Sequence, residues 1–253
     1  MILFLVIIFG LMVGSFLNVC IYRIPRDESI VFPRSHCPNC NHQLRFWENI
    51  PVFSFLFLRG RCSNCKKSIS FRYILVELIS GLIFVLFYNH YGLSLDFIML
   101  LFFYCVILII TFIDIDYQII PNQLLLVGAI PAVYQIISVG VQNSITFILG
   151  GIGLGLGIFG IGQIGNILFK KESMGMGDVK YAALIGLLLG WQYGLVAIFL
   201  SFLFASLLIL ILWPTGKISF GQRIPFGPFM SLGAVVALLW GPIIIQTYLN
   251  LLF

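Results

Sequence analysis

The feature that most constrains this chain is a series of long apolar runs separated by short polar segments. A bilayer core takes about 20 consecutive apolar residues per helix, and several runs reach that length. Of all residues, 60% are hydrophobic and 9% are charged, whereas a soluble domain is about a quarter charged. A soluble globular fold and a disordered chain are therefore excluded. We predict an all-α polytopic membrane protein with about eight transmembrane helices, near residues 2–22, 73–91, 95–113, 119–139, 144–168, 179–192, 194–213 and 227–250.

The basic residues predict the orientation of these helices. Eight helices place all 14 Lys and Arg residues on one face of the membrane. By the positive-inside rule this face is cytoplasmic, and both termini are outside. The first run has no basic n-region and no small-residue cleavage site, so we interpret it as a retained helix and not a signal peptide. The basic residues are those between Arg23 and Arg72, then Lys170, Lys171, Lys180, Lys217 and Arg223.

A polar segment, residues 23–72, separates the first two runs and contains two CxxC pairs. These are Cys37-Pro-Asn-Cys40 and Cys62-Ser-Asn-Cys65. Two such pairs supply the four thiolates of a tetrahedral structural zinc site. A cytoplasmic loop is reducing, which favours metal over disulfides. We predict Zn²⁺ bound by Cys37, Cys40, Cys62 and Cys65; the alternative is a redox pair or disulfides in a loop outside the cell.

Carboxylates are scarce near the apolar runs, and acids there are costly enough to be functional candidates. Asp114 ends the third run and Asp178 opens the sixth, so both are predicted at the cytoplasmic boundary. Two carboxylates that converge share a proton. Such a pair can activate a water molecule while it protonates a carbonyl oxygen. The alternative is that both are ordinary interfacial acids, with Asp178 favourable simply because it opens a helix.

Glycines crowd the fifth run. The stretch Gly155-Leu-Gly157-Ile-Phe-Gly160 formally matches GxGxxG, but no strand precedes it, so a dinucleotide site is not predicted. Small residues at this density favour close packing between membrane helices. We see no internal sequence repeat of the length typical of repeat proteins.

Several short motifs occur in an order typical of one enzyme family. Gly175-Met-Gly177-Asp178 is a GxGD motif, and Asp114-Ile-Asp116 precedes it. Nearly the whole chain resembles the bacterial type IV prepilin peptidases (leader peptidase/N-methyltransferases), a branch of the GxGD membrane aspartyl proteases. The other motifs that carry the resemblance are Gly14-Ser-Phe-Leu-Asn18, both CxxC pairs, Trp47-Glu48-Asn49-Ile-Pro51, Leu58-Arg59-Gly60-Arg61, Arg72-Tyr73-Ile-Leu-Val-Glu77, Ile120-Pro121-Asn122, Lys180 and Pro225-Phe-Gly227-Pro228.

The resemblance implies an activity and the residues for it. The catalytic aspartates are expected to be Asp114 and Asp178. Asp114 is preferred over Asp116 because it lies seven residues before Pro121, as in family members with a single Asp there. The enzyme is expected to cut prepilins or pseudopilins after Gly, on the cytoplasmic side of the bacterial cytoplasmic membrane. The motif glycines expected to support the site are Gly175 and Gly177.

The resemblance also implies N-methylation of the new amino terminus, with S-adenosylmethionine as the methyl donor. The residues that resemble the methylating part of the family are Gly14, Asn18, Arg23, Glu48, Gly60 and Glu77.

The expected organisation is a first helix at 1–22, a zinc-binding and methylation-associated module at 23–72, and a protease domain at 73–253. The expected partners are prepilins or pseudopilins and membrane lipid, without nucleic acid. Two other function classes remain open. One is an ion-coupled transporter that uses the membrane-boundary aspartates, although transporters typically place acids at the midplane and contain repeats. The other is a non-catalytic zinc-binding assembly platform, which leaves the GxGD motif unexplained.

Overall fold

The protein is described here by a computed structural model over residues 1–216 and 222–252, and its regular secondary structure in these ranges is helical. They contain no β-strand, only two isolated β-bridges. The all-helical prediction is therefore confirmed. Lys217, one of the residues used to predict orientation, lies outside the described ranges. The helices are α1 (Ile2–Arg23), α2 (Phe53–Phe57), α3 (Phe71–Tyr91), α4 (Leu95–Tyr117), α5 (Asn122–Ser138), α6 (Val141–Phe169), α7 (Met176–Leu212) and α8 (Gly227–Leu252), with short 3₁₀ turns at Ile24–Arg26 and Phe46–Asn49.

The predicted count of about eight spans is not confirmed. Among the described residues, six helices are long and apolar enough to cross a bilayer: α1, α3, α4, α6, α7 and α8. At 17 residues, α5 is shorter than that.

Helix α7 corresponds to two of the predicted spans. It contains 37 residues, but Gly190, with φ 75° and ψ 174°, interrupts it. A Cβ added to Gly194 would lie 3.6 Å from the Cα of Gly186, although eight residues of straight helix rise about 12 Å. The chain therefore turns back at Gly190, and the runs near 179–192 and 194–213 form the two arms of α7.

The chain divides into two compact units, Met1–Leu101 and Phe102–Phe253, with the boundary inside α4. In the first unit, α1 packs along α3 through two glycines one turn apart. A Cβ on Gly14 would lie 2.7 Å from the Cα of Glu77, and one on Gly10 would lie 2.9 Å from the Cβ of Phe84. Small residues allow the two backbones to approach this closely.

In the second unit, glycines also bring helices into backbone contact. A Cβ on Gly186 of α7 would lie 2.3 Å from the carbonyl oxygen of Gly150 on α6. A Cβ on Gly233 of α8 would lie 2.2 Å from the carbonyl oxygen of Ala197 on the second arm of α7. The contact at Gly150 agrees with the predicted close packing of the glycines in the fifth run.

The glycines of the formal GxGxxG stretch lie inside α6, away from any loop. A Cβ on Gly155 would lie 3.1 Å from the Cβ of Ala183 on α7, whereas a Cβ on Gly157 or Gly160 would meet nothing within 4 Å. Gly155 therefore lies on a face of α6 that packs against α7, whereas Gly157 and Gly160 lie where no other atoms are near. This arrangement agrees with the prediction that the stretch is not a dinucleotide loop.

Candidate active site and metal centre

Asp114 lies in the last turn of α4 and is buried. Its Oδ2 accepts a hydrogen bond of 2.8 Å from the backbone N–H of Gly227, the first residue of α8. The first N–H groups of a helix have no partner within the helix and carry partial positive charge, so a carboxylate is stabilised there. A Cβ at position 227 would lie 2.8 Å from this same Oδ2. Only glycine therefore allows the contact without displacing Asp114.

Asp178 lies in the first turn of α7. Its Oδ2 accepts a hydrogen bond of 3.1 Å from the backbone N–H of Gly175, as an acid does when it caps its own helix. A Cβ on Gly177 would lie 3.1 Å from the Cβ of Ile120, so the first turn of α7 packs on the segment between α4 and α5. The two motif glycines thus shape the turn that carries Asp178.

Lys180 ties the starts of two helices together. Its Nζ donates a hydrogen bond of 2.9 Å to Oδ1 of Asn122, the first residue of α5. The contact joins the motif that contains Asp178 to the Ile120-Pro121-Asn122 motif that follows α4. Both residues belong to motifs that are visible in the sequence, but the contact between them is not visible there.

Asp114 and Asp178 line one cavity of about 620 Å³. Asp116 is exposed and does not line this cavity. The geometry therefore brings together the two acids that the sequence paired and leaves Asp116 apart from them.

The cavity is lined by both apolar and charged side chains. The exposed charged residues, called rim residues here, include Arg223, whose Nη2 lies 3.4 Å from Oε2 of Glu172. The aromatic side chains that line the cavity are Phe169, Phe202, Phe226 and Phe229. A space of this size and character can hold a peptide segment with an apolar part and a charged part.

Gly227 is the site residue that sequence analysis missed. The Pro225-Phe-Gly227-Pro228 motif was quoted only as part of the resemblance. A proline at the first or second helical position predicts a helix start, and a helix start predicts an anion site. The anion at this helix start is the carboxylate of Asp114. The sequence does not reveal that contact, because it depends on how α4 packs against α8.

The four cysteines of the two CxxC pairs form a cluster in which all sulfurs lie within 4.8 Å of one another. Cys37 Sγ lies 3.9 Å from Cys65 Sγ, and Cys40 Sγ lies 3.9 Å from Cys62 Sγ. Tetrahedral zinc with Zn–S bonds of about 2.3 Å requires sulfurs about 3.8 Å apart, so the donor set fits a metal ion. None of the chain's six cysteines is in a disulfide.

The two knuckles of this cluster share one backbone pattern, which begins at Cys37 in the first and at Cys62 in the second. The N–H of Cys37 donates to the carbonyl of His42, and the N–H of Cys62 donates to the carbonyl of Lys67, both at 2.9 Å. Each pattern is closed by one of the two β-bridges. The two knuckles share the Cys-x-Asn-Cys pattern in the sequence, and their backbone conformation repeats over a longer stretch than their residue identities do.

Backbone groups prepare part of the cluster for metal binding. The backbone N–H of His42 lowers the pKa of the Cys40 thiol to about 6. For Cys65 the backbone N–H of Lys67 acts in the same direction, but burial and the other thiols outweigh it and raise its pKa to about 11. Four thiolates this close repel one another, and a cation among them relieves that repulsion.

Glu48 and Gly60, two of the residues expected to serve methylation, shape the cysteine module. Glu48 Oε2 accepts a hydrogen bond of 2.7 Å from the N–H of Arg45 and lies 3.3 Å from Nε2 of His42. The Arg45 contact is the main cause that holds the pKa of Glu48 below its ordinary value. Gly60 has φ +65°, and a Cβ there would lie 3.1 Å from the ring of Phe55.

The other residues expected to serve methylation lie around the α1–α3 contact. Besides Gly14 at the backbone contact, Asn18 Nδ2 donates to the carbonyl of Tyr73 at 3.0 Å, and Glu77 Oε2 accepts from the N–H of Val52 at 2.8 Å. Buried Arg23 donates to two carbonyls, those of Ser29 at 2.8 Å and Pro33 at 2.7 Å.

Asn18 and Arg23 line a cavity of about 60 Å³. Ligand pockets are usually about 300–1,000 Å³, so this cavity does not fit S-adenosylmethionine.

Fold and site define a polytopic helical membrane protein with two carboxylates at helix ends and a four-cysteine cluster that could hold a metal ion. Two family models match it: the bacterial peptidase A24 N-terminal domain over residues 8–91 and the type IV leader peptidase family over residues 100–210. The chain belongs to the type IV leader peptidase family, which confirms the resemblance seen in its motifs. The first match lies within the first compact unit. The second match begins at residue 100, two residues before the second unit begins.

Curated relatives cover nearly the whole chain. Proteins named prepilin leader peptidase/N-methyltransferase are 37% identical over 272 residues in Stutzerimonas stutzeri and 34% identical over 272 residues in Pseudomonas aeruginosa, each over 96% of this chain and 92% of the relative. The Aeromonas hydrophila protein of that name is 34% identical over 273 residues, 97% of this chain and 93% of the relative. No solved structure matches the chain.

Proposed function

We propose that this chain is a membrane aspartyl endopeptidase that removes the leader peptide of type IV prepilins or pseudopilins. The observation that carries the proposal is that Asp114 of α4 and Asp178 of α7 line one cavity of about 620 Å³ at the ends of apolar helices. The names of the relatives supply the substrate class. The family supplies the expectation of a cut after Gly.

The geometry suits a shared-proton mechanism. In each aspartate, Oδ2 accepts a backbone N–H, from Gly227 or from Gly175. The other oxygen of each carboxyl group is then available to a water molecule or a substrate. Two carboxyl groups that interact do not both ionise, so one is a carboxylate and its partner holds a proton.

Each proton has a defined path in this mechanism. The carboxylate takes a proton from the water molecule as the water oxygen attacks the scissile carbonyl carbon, and the protonated partner donates to the carbonyl oxygen. Collapse of the tetrahedral intermediate breaks the C–N bond. The leaving amine takes the proton that came from water, and one hydroxyl of the intermediate returns its proton to the other carboxylate, so the pair again shares one.

The substrate and the orientation of the enzyme form part of the same proposal. A prepilin has a basic leader followed by an apolar helix, and the cavity combines an aromatic wall with the charged rim residues Lys171, Glu172 and Arg223. The basic residues of the chain support a cytoplasmic position for these helix ends, by the positive-inside rule. The proposed location is the bacterial cytoplasmic membrane, where lipid surrounds the apolar helices.

N-methylation of the new amino terminus is proposed for the part of the chain from Gly14 to Glu77. Its support is the names of the relatives and the match of the A24 N-terminal domain to residues 8–91. S-adenosylmethionine is the proposed methyl donor. Since the cavity at Asn18 and Arg23 does not fit this molecule, we assign no step of methyl transfer to individual residues. The residues proposed to support the activity remain Gly14, Asn18, Arg23, Glu48, Gly60 and Glu77.

The four-cysteine cluster is proposed to bind Zn²⁺ in a structural role. A metal ion with four thiolate ligands has no open position for water or substrate. The domain organisation that we propose is a first helix at 1–22, the zinc module at 23–72 and the protease domain at 73–253. No finding supports the transporter alternative, and the zinc-platform alternative gives no role to the cavity at Asp114 and Asp178.

Mass spectrometry of a type IV prepilin co-expressed with this protein tests the proposed function. The expected product lacks the leader through its terminal Gly and carries one methyl group on the new amino terminus. A prepilin that stays intact, while the protein accumulates in the membrane, contradicts the peptidase assignment. A product that is cut and lacks the methyl group contradicts only the methylation.

A further inference from the structure

Three side-chain hydroxyl groups meet between α4, α7 and α8. Tyr181 OH lies 2.7 Å from Ser231 Oγ, and Thr111 Oγ1 also lies 2.7 Å from Ser231 Oγ. Tyr181 and Ser231 are buried, and Thr111 is partly buried. Hydroxyl groups in membrane helices often bond only to a carbonyl of their own helix, whereas these three link three helices.

The donors and acceptors of this hydroxyl cluster can be matched without conflict. Tyr181 donates to Ser231, and Thr111 donates to Ser231 at 2.7 Å or to the carbonyl of Ile107 at 2.8 Å. Ser231 in turn donates to the carbonyl of Gly227 at 3.0 Å. Each hydroxyl proton has an acceptor, so the cluster satisfies the condition for a stable buried polar network.

Each member of the cluster lies about one helical turn from a group of the candidate active site. Thr111 precedes Asp114 by three residues, and Tyr181 follows Asp178 by three. Ser231 follows Gly227, whose N–H binds Asp114, by four residues. In a helix, residues three or four apart lie on the same face. The cluster therefore joins the three helices directly beside the two carboxylates.

We propose that Thr111, Tyr181 and Ser231 are positioning residues that fix the separation of Asp114 and Asp178. This inference rests on the proposed peptidase function. The two aspartates come from different helices. Apolar packing alone allows these helices to shift relative to each other by fractions of an ångström. Hydrogen bonds between the helices are directional and oppose that motion. A displacement of about 1 Å at a catalytic group can reduce the rate about 100-fold.

Substitutions at Thr111 distinguish positioning from packing. Thr111→Val keeps the shape of the side chain and removes the hydroxyl, whereas Thr111→Ser keeps the hydroxyl and removes a methyl group. With a purified type IV prepilin as substrate, we expect Thr111→Val to lower kcat about tenfold to 100-fold at nearly constant KM, and Thr111→Ser to stay within about twofold of the wild type. A packing role predicts the opposite ranking, and that ranking would overturn the proposal.

Tyr181→Phe and Ser231→Ala provide a second measurement in case a Thr111 variant does not fold. Each is expected to lower kcat about tenfold or more, and the double variant is expected to lose little beyond the larger single effect, because one network is already broken. Ser201→Ala is the matched control: Ser201 is a buried serine of α7 whose hydroxyl donates to Ala197 of its own helix at 2.6 Å.

Effects of Tyr181→Phe and Ser231→Ala that multiply in the double variant, or that equal the effect of Ser201→Ala, overturn the positioning role. Intact prepilin in the wild-type reaction would instead refute the peptidase function, and this inference with it.

Discussion

At the scale of single residues, the candidate site is built from backbone N–H groups that hold carboxylates. Gly227 donates to Asp114 at 2.8 Å, and Gly175 donates to Asp178 at 3.1 Å. Both donors are glycines at the start of a helix, where N–H groups lack helical partners. One oxygen of each acid is therefore fixed without using any other charged side chain. Apolar surroundings disfavour two negative charges side by side, so they favour a pair of carboxyl groups that shares one proton.

Asp114→Asn and Asp178→Asn should each abolish cleavage of a purified prepilin. An amide cannot take a proton from water or donate a carboxylic proton, and loss of one member of a cooperating catalytic group typically costs about 10³-fold or more in kcat. Asp116→Asn is the control and should retain substantial activity, because Asp116 does not line the cavity. Efficient cleavage by either of the first two variants would remove the aspartyl assignment.

Gly227→Ala should reduce kcat about 100-fold, because the added methyl group would lie 2.8 Å from Asp114 Oδ2 and displace it. The protein should still accumulate, since the change affects one helix end. Gly157→Ala on α6 is the control, because its Cβ would meet nothing within 4 Å. Steady-state cleavage by both variants checks the prediction, and equal rates would mean that the Gly227 contact does not matter for catalysis.

At the scale of helices, glycines provide the closest contacts between neighbouring helices. Lipid solvates apolar side chains as well as a protein interior does, so membrane helices gain stability from close contact more than from burial. The contacts of Gly14 with α3, Gly186 with α6 and Gly233 with the second arm of α7 all bring backbones together. Gly190, with φ 75°, serves a different purpose and lets α7 reverse direction.

Gly186→Ala should destabilise the second unit by about 1–3 kcal/mol, the usual cost of overpacking. The new methyl group would lie 2.3 Å from the carbonyl oxygen of Gly150, and neither backbone can move without separating α6 from α7. Thermal unfolding in detergent should show a lower midpoint than for the wild type. Gly157→Ala should not lower the midpoint, since alanine favours helix and has free space there. The prediction is wrong if the two variants unfold alike.

At the scale of the whole molecule, the protein consists of two compact units with different chemistry. The first, Met1–Leu101, contains the cysteine cluster, and the second, Phe102–Phe253, contains both candidate catalytic aspartates. The two matching family models, over residues 8–91 and 100–210, separate close to the same boundary. This organisation leads us to expect that metal binding, methylation and cleavage depend on different parts of the chain.

One tightly bound Zn²⁺ per chain is expected in protein purified without chelator. Cys62→Ser should lose the metal and increase hydrogen exchange in the module, because metal-binding free energy stabilises small metal-binding folds. The second unit should keep its exchange protection. Cys105→Ala is the control, since Cys105 lies outside the cluster. Elemental analysis that finds no metal in the wild type contradicts the prediction.

Cleavage and methylation should be separable by substitution. Glu48→Ala and Gly60→Leu are expected to reduce methylation more than cleavage, because both residues shape the module in the first unit. Asp178→Ala should stop cleavage, and methylation with it, since no free amino terminus is formed. A pre-cut pilin should restore methylation in that variant. Mass spectrometry of the products from intact prepilin and from pre-cut pilin measures both activities. Equal loss of both activities in folded Glu48 and Gly60 variants would favour one shared site.

Much of the fold follows from local sequence patterns. Apolar runs of about 20 residues predict helices in lipid because the backbone must satisfy its own hydrogen bonds there. The predicted helix boundaries agree with the described helices to within a few residues in most cases. The number of spans does not follow from these patterns, because length and hydropathy do not show where the short helix α5 lies or that α7 turns back at Gly190.

The sequence by itself determined the class of the protein, the four-cysteine cluster and the candidate pair Asp114 and Asp178. These features depend on residue type and short spacing, and both are visible along the chain. Only the tertiary structure identified the Gly227 contact with Asp114 and the hydroxyl cluster of Thr111, Tyr181 and Ser231. These contacts join residues 50 to 120 positions apart. Their geometry depends on how α4, α7 and α8 pack, and no local pattern encodes that packing.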